Sequence, residues 1–255
     1  MNKRIAIIPA RYGSTRLPGK PLAKIGGRPM ILHVVERSLA ISGLNQVVVA
    51  TDDLRILECV QKAGFEAVLT GQGHSSGTDR VAEAARLLNL APQDIVVNIQ
   101  GDQPFLHVKA VEAMIELLSQ GNGLHMTTAA CPLSLEEAAN PNRVKVVIDN
   151  GFKALYFSRA VIPFDREQRA QELCLRHGKR YLRHLGLYAF RMVFLQEFVQ
   201  LGQSFLEQME CLEQLRALEN GYTIGVVIVD SAGLEIDTYQ DLEAANRMVH
   251  AIPLK

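Results

Sequence analysis

With 255 residues the chain can bury one large core, or form one domain that carries a sub-domain. Lysine plus arginine and aspartate plus glutamate number 27 each, a balance that gives no general attraction to nucleic acid or to an anionic membrane surface. The apolar runs are too short to span a bilayer, so a soluble protein is expected.

Ile5 to Ile8 is a short apolar run of the kind that forms a buried parallel strand. It starts at once, leaving no room for a signal peptide and pointing to the cytoplasm. The run passes into a loop where Arg11, Arg16 and Lys20 stand among Gly13, Pro18 and Gly19, and an apolar-periodic helix follows from about Pro29 to Ser42. Strand, basic loop and helix in that order place the loop at the carboxyl edge of a sheet, where open α/β folds bind ligands. The glycines let backbone approach an anion closely, and three cations can neutralise it. The loop is neither a Walker A sequence nor a G-x-G-x-x-G fingerprint, so a solvated connection is the competing reading.

Strand-like Gln46 to Ala50 ends in Thr51-Asp52-Asp53, where either aspartate can cap a helix that stops at Gly64. Glu66 to Thr70 reads as a third strand, followed by the Gly/Ser loop around His74 and a helix ending near Leu90. Asp94 to Ile99 is again continuously apolar and ends in Gln100-Gly101-Asp102-Gln103-Pro104. A helix from His107 to Ser119 and a strand from Met126 to Cys131 complete an alternation that predicts a parallel sheet with helices on both faces. The pattern then changes. Val144 to Asp149 and Ala154 to Ser158 form a hairpin signal around Asn150-Gly151. Polar Asp165 to Arg180 reads as an exposed loop or short helix, and Leu185 to Phe190 as a strand. Two helices follow, the second from Leu206 to Glu219, and then a strand from Thr223 to Val229 and a last helix from Tyr239 to His250. One domain over 1–255 with an inserted mixed-sheet lobe at roughly 140–205 is the economical reading.

Asp102 follows a buried strand directly and is placed to hold Mg²⁺ beside phosphates, although Gly-Asp also forms turns. Asp237 is a second candidate, with Glu235 on the same face of an extended segment; the competing reading is that Asp237 or Thr238 caps the last helix. His184, Gly186 and Tyr188 alternate onto one strand face that is placed to line a pocket. His74 is a capping or ligand-facing residue. His33, His107, His125 and His250 read as structural or surface groups. Glu207, Glu210 and Glu213 form an acidic stripe on the helix from Leu206, of the kind that is usually solvated. The 4 cysteines, Cys59, Cys131, Cys174 and Cys211, are far apart and form no C-x-x-C pair, which leaves reduced, mostly buried thiols.

Taken together, IIPARYGSTRLPGKPL, VVATDD, HSSGTDR, QGD, NPNRVKVV, ALYFSRAVIPFDR, RHLGLYAFR, LEQLRALENG and DTYQDLE resemble the 3-deoxy-D-manno-octulosonate (Kdo) cytidylyltransferases of lipopolysaccharide synthesis. The likeness covers nearly the whole chain. It implies a Rossmann-like, GT-A-like nucleotidyltransferase fold with a mostly parallel sheet, and a smaller mixed lobe that makes a homodimer. The implied substrates are CTP and Kdo, the implied cofactor is Mg²⁺, with two ions during turnover, and no nucleic acid or membrane is involved. On the matching positions, Arg11, Arg16 and Lys20 bind the triphosphate. Ala10, Ser14, Ser76, Gly77 and Arg80 lie near the nucleotide. Asp102 and Asp237 hold the metal. Gln100, Arg159, His184, Tyr188, Glu213 and Gln214 form the sugar-acid pocket.

The chain departs from the family pattern at Gln103, commonly Glu, at Glu235, usually small, and at Tyr239-Gln240, commonly Pro-Glu. Glu235 suggests an 8-amino analogue of Kdo as an alternative substrate, with neutral drift between branches as the competing explanation. An enzyme of the same superfamily acting on another nonulosonic acid or a sugar 1-phosphate is one rival. A nucleotide-binding regulator is the rival from a different class.

Overall fold

The computed structural model describes residues 2–13, 17–121, 123–178 and 180–251. The first apolar run forms β1 (Arg4–Ala10), where Ile5, Ala6, Ile7 and Ile8 are fully removed from solvent. A parallel strand covered on both faces must be apolar on both sides, which is why the run does not alternate. A small antiparallel pair follows, β2 (Lys24–Ile25) and β3 (Arg28–Pro29), leading into α1 (Met30–Leu39). Next come β4 (Gln46–Thr51), α2 (Leu54–Lys62), β5 (Glu66–Leu69), α3 (Gly77–Leu87) and β6 (Ile95–Asn98).

Further along lie α4 (Val108–Ser119), β7 (Met126–Leu133), α5 (Leu135–Ala138), β8 (Lys145–Ile148) and β9 (Ala154–Ser158). They are followed by α6 (Ala170–His177), β10 (Tyr181–Arg191), α7 (Met192–Phe198), α8 (Phe205–Glu210), α9 (Gln214–Glu219) and β11 (Ile224–Ile228). The last element is α10 (Tyr239–Ala251). The chain divides into two compact units, Met1–Val108 with Gly233–Lys255, and Lys109–Ala232. Among the described residues no helix is long and apolar enough to cross a membrane.

In the first unit β4 pairs with both β1 and β5, and β1 pairs with β6, all parallel, in the order β5-β4-β1-β6. The loops after β1, β4 and β6 therefore open at one carboxyl edge. Asp53, rather than Asp52, caps α2 by accepting the Arg55 amide. Ser76 and Asp79 form a reciprocal capping box at the start of α3.

The second unit is mixed, as the hairpin signal predicts. β11 runs parallel to β7, β10 antiparallel to β7, and β8 antiparallel to both β9 and β10. β10 starts four residues before the predicted strand, and its register with β7 shifts between His184 and Tyr188. Gly186 sits in that shift at φ +65°, a backbone that favours glycine. His184 and Tyr188 still oppose Ala130 and Thr128, so they keep to one face, with ring centroids 5.5 Å apart.

The single helix predicted from Leu206 to Glu219 is two helices. Cys211 adopts a left-handed conformation, φ 52°, and breaks it. The reason is a buried ion pair. Arg216 Nε and Nη2 donate to Glu207 at 2.8 and 2.5 Å. These residues are nine apart, roughly half a turn out of phase on a continuous helix, so only the break lets them meet. The predicted acidic stripe is dismantled as well, since Glu207 is buried and Glu210 binds Ser158 and the Arg159 amide. The thiols also differ from expectation: only Cys131 is buried and Cys211 is exposed.

Candidate active site

Lys20 lies in a short 3₁₀ turn, Lys20–Leu22, entered through left-handed Gly19. Its ammonium donates to Asp102 Oδ2 at 2.6 Å and Asp237 Oδ1 at 2.9 Å, with only 13% of the side chain exposed. Asp102 is delivered by the turn after β6, where the Gln103 amide bonds the Gln100 carbonyl at 3.2 Å. Asp237 is left for this site because the cap of α10 is built elsewhere. Thr238 Oγ1 accepts the Asp241 amide, and Asp241 accepts the amides of Asp237 and Thr238. The capping reading thus holds for Thr238 and not for Asp237.

A cleft of about 300 Å³ opens at the carboxyl edge of the first unit's sheet. Ala10, Arg11, Lys20, Ser76, Gly77, Arg80, Gln100, Asp102 and Asp237 all line it, which brings together the candidate nucleotide and metal residues. Ser14 and Arg16 lie outside the described residues. The first turn of α3 faces the cleft at Ser76 and Gly77, and a helix start presents amide donors to anions. Arg80 is 4% exposed and donates to Thr70, Gly71 and Asp52, so it anchors the loop after β5 while lining the cleft. His74 also lines the cleft and pairs with Glu83, whose carboxyl is held below its ordinary range by that bond.

The donor set suits a hard divalent cation: two carboxylate oxygens converge on one point, now bridged by Lys20. Among the described residues no group of three or more His, Cys, Asp or Glu forms a metal site. A cation shared by Asp102 and Asp237 would therefore take its other ligands from phosphate and water, as Mg²⁺ commonly does.

The other candidates lie in the second unit, apart from Gln100. His184 is buried against Phe157 and Tyr188, with Nε2 2.8 Å from Thr128 Oγ1. The Thr128 hydroxyl donates to the Leu187 carbonyl, so it must accept from His184, which fixes the proton on Nε2. Burial, aided by Arg183, pushes the imidazole down to about 3. Tyr188 donates to Gln214 Oε1 at 2.9 Å, and burial followed by the Glu213 charge raises its phenol well above the ordinary value. The Gln214 amide nitrogen is buried without a hydrogen-bond partner among the described residues. Such an orphan donor is costly unless a ligand or water meets it.

Arg159 donates to the carbonyls of Glu210, Pro141 and Cys211. Its own carbonyl accepts from Lys145 at 2.6 Å, a wholly buried lysine whose ammonium burial shifts down. A lysine in a strand ordinarily reads as solvent-facing, so the burial of Lys145 is scarcely marked in the sequence. Its neighbours in Asn140-Pro141-Asn142-Arg143-Val144-Lys145 gave the only signal. The departures Gln103 and Glu235 prove to be partners, 3.4 Å apart.

A parallel sheet carrying a basic cleft and two apposed aspartates at its carboxyl edge defines a nucleotide-binding protein of the nucleotidyltransferase class. A family model described as cytidylyltransferase matches residues 5–224. The 3-deoxy-manno-octulosonate cytidylyltransferase of Syntrophobacter fumaroxidans is 52% identical, with 94% of each chain covered. That of Idiomarina loihiensis is 47% identical over 95% of this chain and 96% of its own. The structure of CMP:2-keto-3-deoxy-manno-octonic acid synthetase complexed with CTP superposes with TM-score 0.90 at 41% identity, covering 98% of this chain and 99% of that one. A cytidylyltransferase from Leptospira borgpetersenii, 18% identical with TM-score 0.64 over 100% of this chain and 89% of its own, shares the fold. The chain belongs to the 3-deoxy-manno-octulosonate cytidylyltransferase family.

Proposed function

We propose that the protein transfers the cytidylyl group of CTP to Kdo, forming CMP-Kdo and pyrophosphate. The observation that carries this reading is the full-length likeness to a synthetase complexed with CTP, joined to the cleft that Arg11, Lys20 and the start of α3 line. The anomeric hydroxyl attacks the α-phosphorus in line and pyrophosphate leaves; such transfers depend on positioning and charge stabilisation. Lys20 and Arg11 neutralise the triphosphate, and the first amides of α3 orient it. Asp102 and Asp237 would hold Mg²⁺, which when bound polarises the phosphate and acidifies the sugar hydroxyl. Arg159, His184, Tyr188, Glu213 and Gln214 form the sugar-acid pocket, and the orphan Gln214 donor supports that role.

The enzyme works in the cytoplasm and supplies lipopolysaccharide synthesis. It acts as a homodimer through the second unit. The support is an apolar groove of about 750 Å³ there, flanked by Phe164 at 82% exposure. One observation favours a second substrate: the Glu235 carboxylate stands two residues from Asp237, which suits an amino-bearing octulosonate, and a higher turnover with Kdo than with the 8-amino analogue counts against it. The reading as a whole is tested with Asp102→Ala. Turnover should disappear while the fold and CTP binding persist; retained turnover overturns the assignment of the site.

A further inference from the structure

The segment Gly233–Asp237 and the turn Asp102–Leu106 approach more closely than a side chain allows. A Cβ on Gly233 would sit 2.4 Å from the Phe105 carbonyl oxygen and 3.1 Å from its carbon. Both are backbone atoms, which cannot swing aside as the end of a flexible side chain can. Three residues on, the Ile236 amide donates to the Asp102 carbonyl at 3.1 Å. Between these points Gln103 Nε2 donates to Glu235 Oε1 at 3.4 Å. Behind the contact, Ile236 is fully buried in a cluster with Leu17 and Met30, against which Phe105 and Leu234 pack.

These contacts share two neighbours, Asp102 and Asp237. Both carboxylates reach one point, the Lys20 ammonium, at 2.6 and 2.9 Å. Glu235 stands two residues before Asp237 in the same segment, with buried Ile236 between them. Two carboxylates so placed repel each other. The Gln103 amide gives the Glu235 carboxylate a partner on the turn that carries Asp102.

We infer that Gly233 and the Gln103–Glu235 pair are positioning residues that fix the separation of Asp102 and Asp237. Gly233 sets the distance between the two backbones, and the side-chain pair keeps the third carboxylate from the position the cation would take. The inference rests on the proposed reading of the two aspartates as cation ligands.

The test measures Mn²⁺ bound to the protein with CTP, by water-proton relaxation enhancement, alongside kcat, KM for CTP and thermal stability. The variants are Gly233→Ala, Gln103→Glu, Glu235→Gln, the exchange Gln103→Glu/Glu235→Gln, and Asp102→Ala. Gly233→Ala and Gln103→Glu should each weaken Mn²⁺ binding by about 10-fold or more, the usual effect of disturbing groups that orient ligands. Both should lower kcat more than they change KM for CTP. The exchange, which restores one amide facing one carboxylate, should recover Mn²⁺ affinity close to that of the unaltered protein. A purely structural role would lower the melting temperature and leave the Mn²⁺ affinity of the folded protein unchanged, and that result overturns the inference. Should Gly233→Ala fail to fold, Gln103→Glu and its rescue decide the matter. Unchanged Mn²⁺ binding in Asp102→Ala would instead show that the ligand reading itself has failed.

Discussion

Arg216→Met offers a demanding test of the second unit, because the ion pair it destroys explains the break at Cys211. Arg216 and Glu207 are 5% and 6% exposed and joined by two hydrogen bonds. Arg216 also donates to the Phe198 and Leu201 carbonyls and lies over the Phe198 ring, 4.7 Å from its centroid. Methionine replaces much of the volume and none of the charge. Glu207 would keep the Ser204 amide as a donor at 3.2 Å, and otherwise hold a buried, uncompensated carboxylate. Removing one partner of such a pair costs about 3–5 kcal/mol. For a chain of this size that lowers the melting temperature by roughly 6–20 °C. Arg216→Met/Glu207→Leu removes the orphan charge as well and should recover most of the loss. Because Glu213 and Gln214 begin the helix that Arg216 anchors, KM for the sugar acid should rise in the single variant. Urea melts of the three proteins supply the answer; a loss below about 1 kcal/mol, the range of an exposed pair, would refute the account of why the helix breaks.

His184 gives the protein an acid-sensitive term. The unfolded imidazole takes a proton near pH 6.5, whereas the buried ring resists until about 3. Its contribution is therefore complete above pH 6.5 and falls as the pH drops between those values. His184→Gln should flatten the slope of denaturation midpoint against pH in that window; an unchanged slope contradicts the assignment. Lys20→Met should reduce kcat/KM for CTP by roughly 10- to 100-fold, the value of a charged hydrogen bond, measured by initial rates. A change under twofold would remove Lys20 from the proposed site.

The architecture of the first unit was legible because its signals are local. Continuous apolar runs in β1 and β6 and the Ser76–Asp79 box each announce one element. The cleft residues were legible for a related reason: open parallel sheets gather their ligands at strand ends, where Arg11 follows β1 directly and Gln100 and Asp102 lie in the turn after β6. Features fixed by distant partners were hidden. The helix from Leu206 has unbroken helical propensity, and only the pairing of Glu207 with Arg216 explains why it stops at Cys211. The Gly186 shift depends on the register of β10 with β7, which no window along one strand records. Gln103 and Glu235 are 132 residues apart, so their departures looked independent until the fold set them side by side.

The most direct measurement is pyrophosphate release with Mg²⁺ present, comparing CTP with UTP and ATP, and Kdo with its 8-amino analogue and a sialic acid. Release that requires both CTP and an octulosonate is the predicted result, and release with the amino sugar alone would keep the mechanism and make Glu235 the selecting group. Folded protein that binds CTP yet releases no pyrophosphate with any pair would contradict the account and leave a nucleotide-binding regulator in its place.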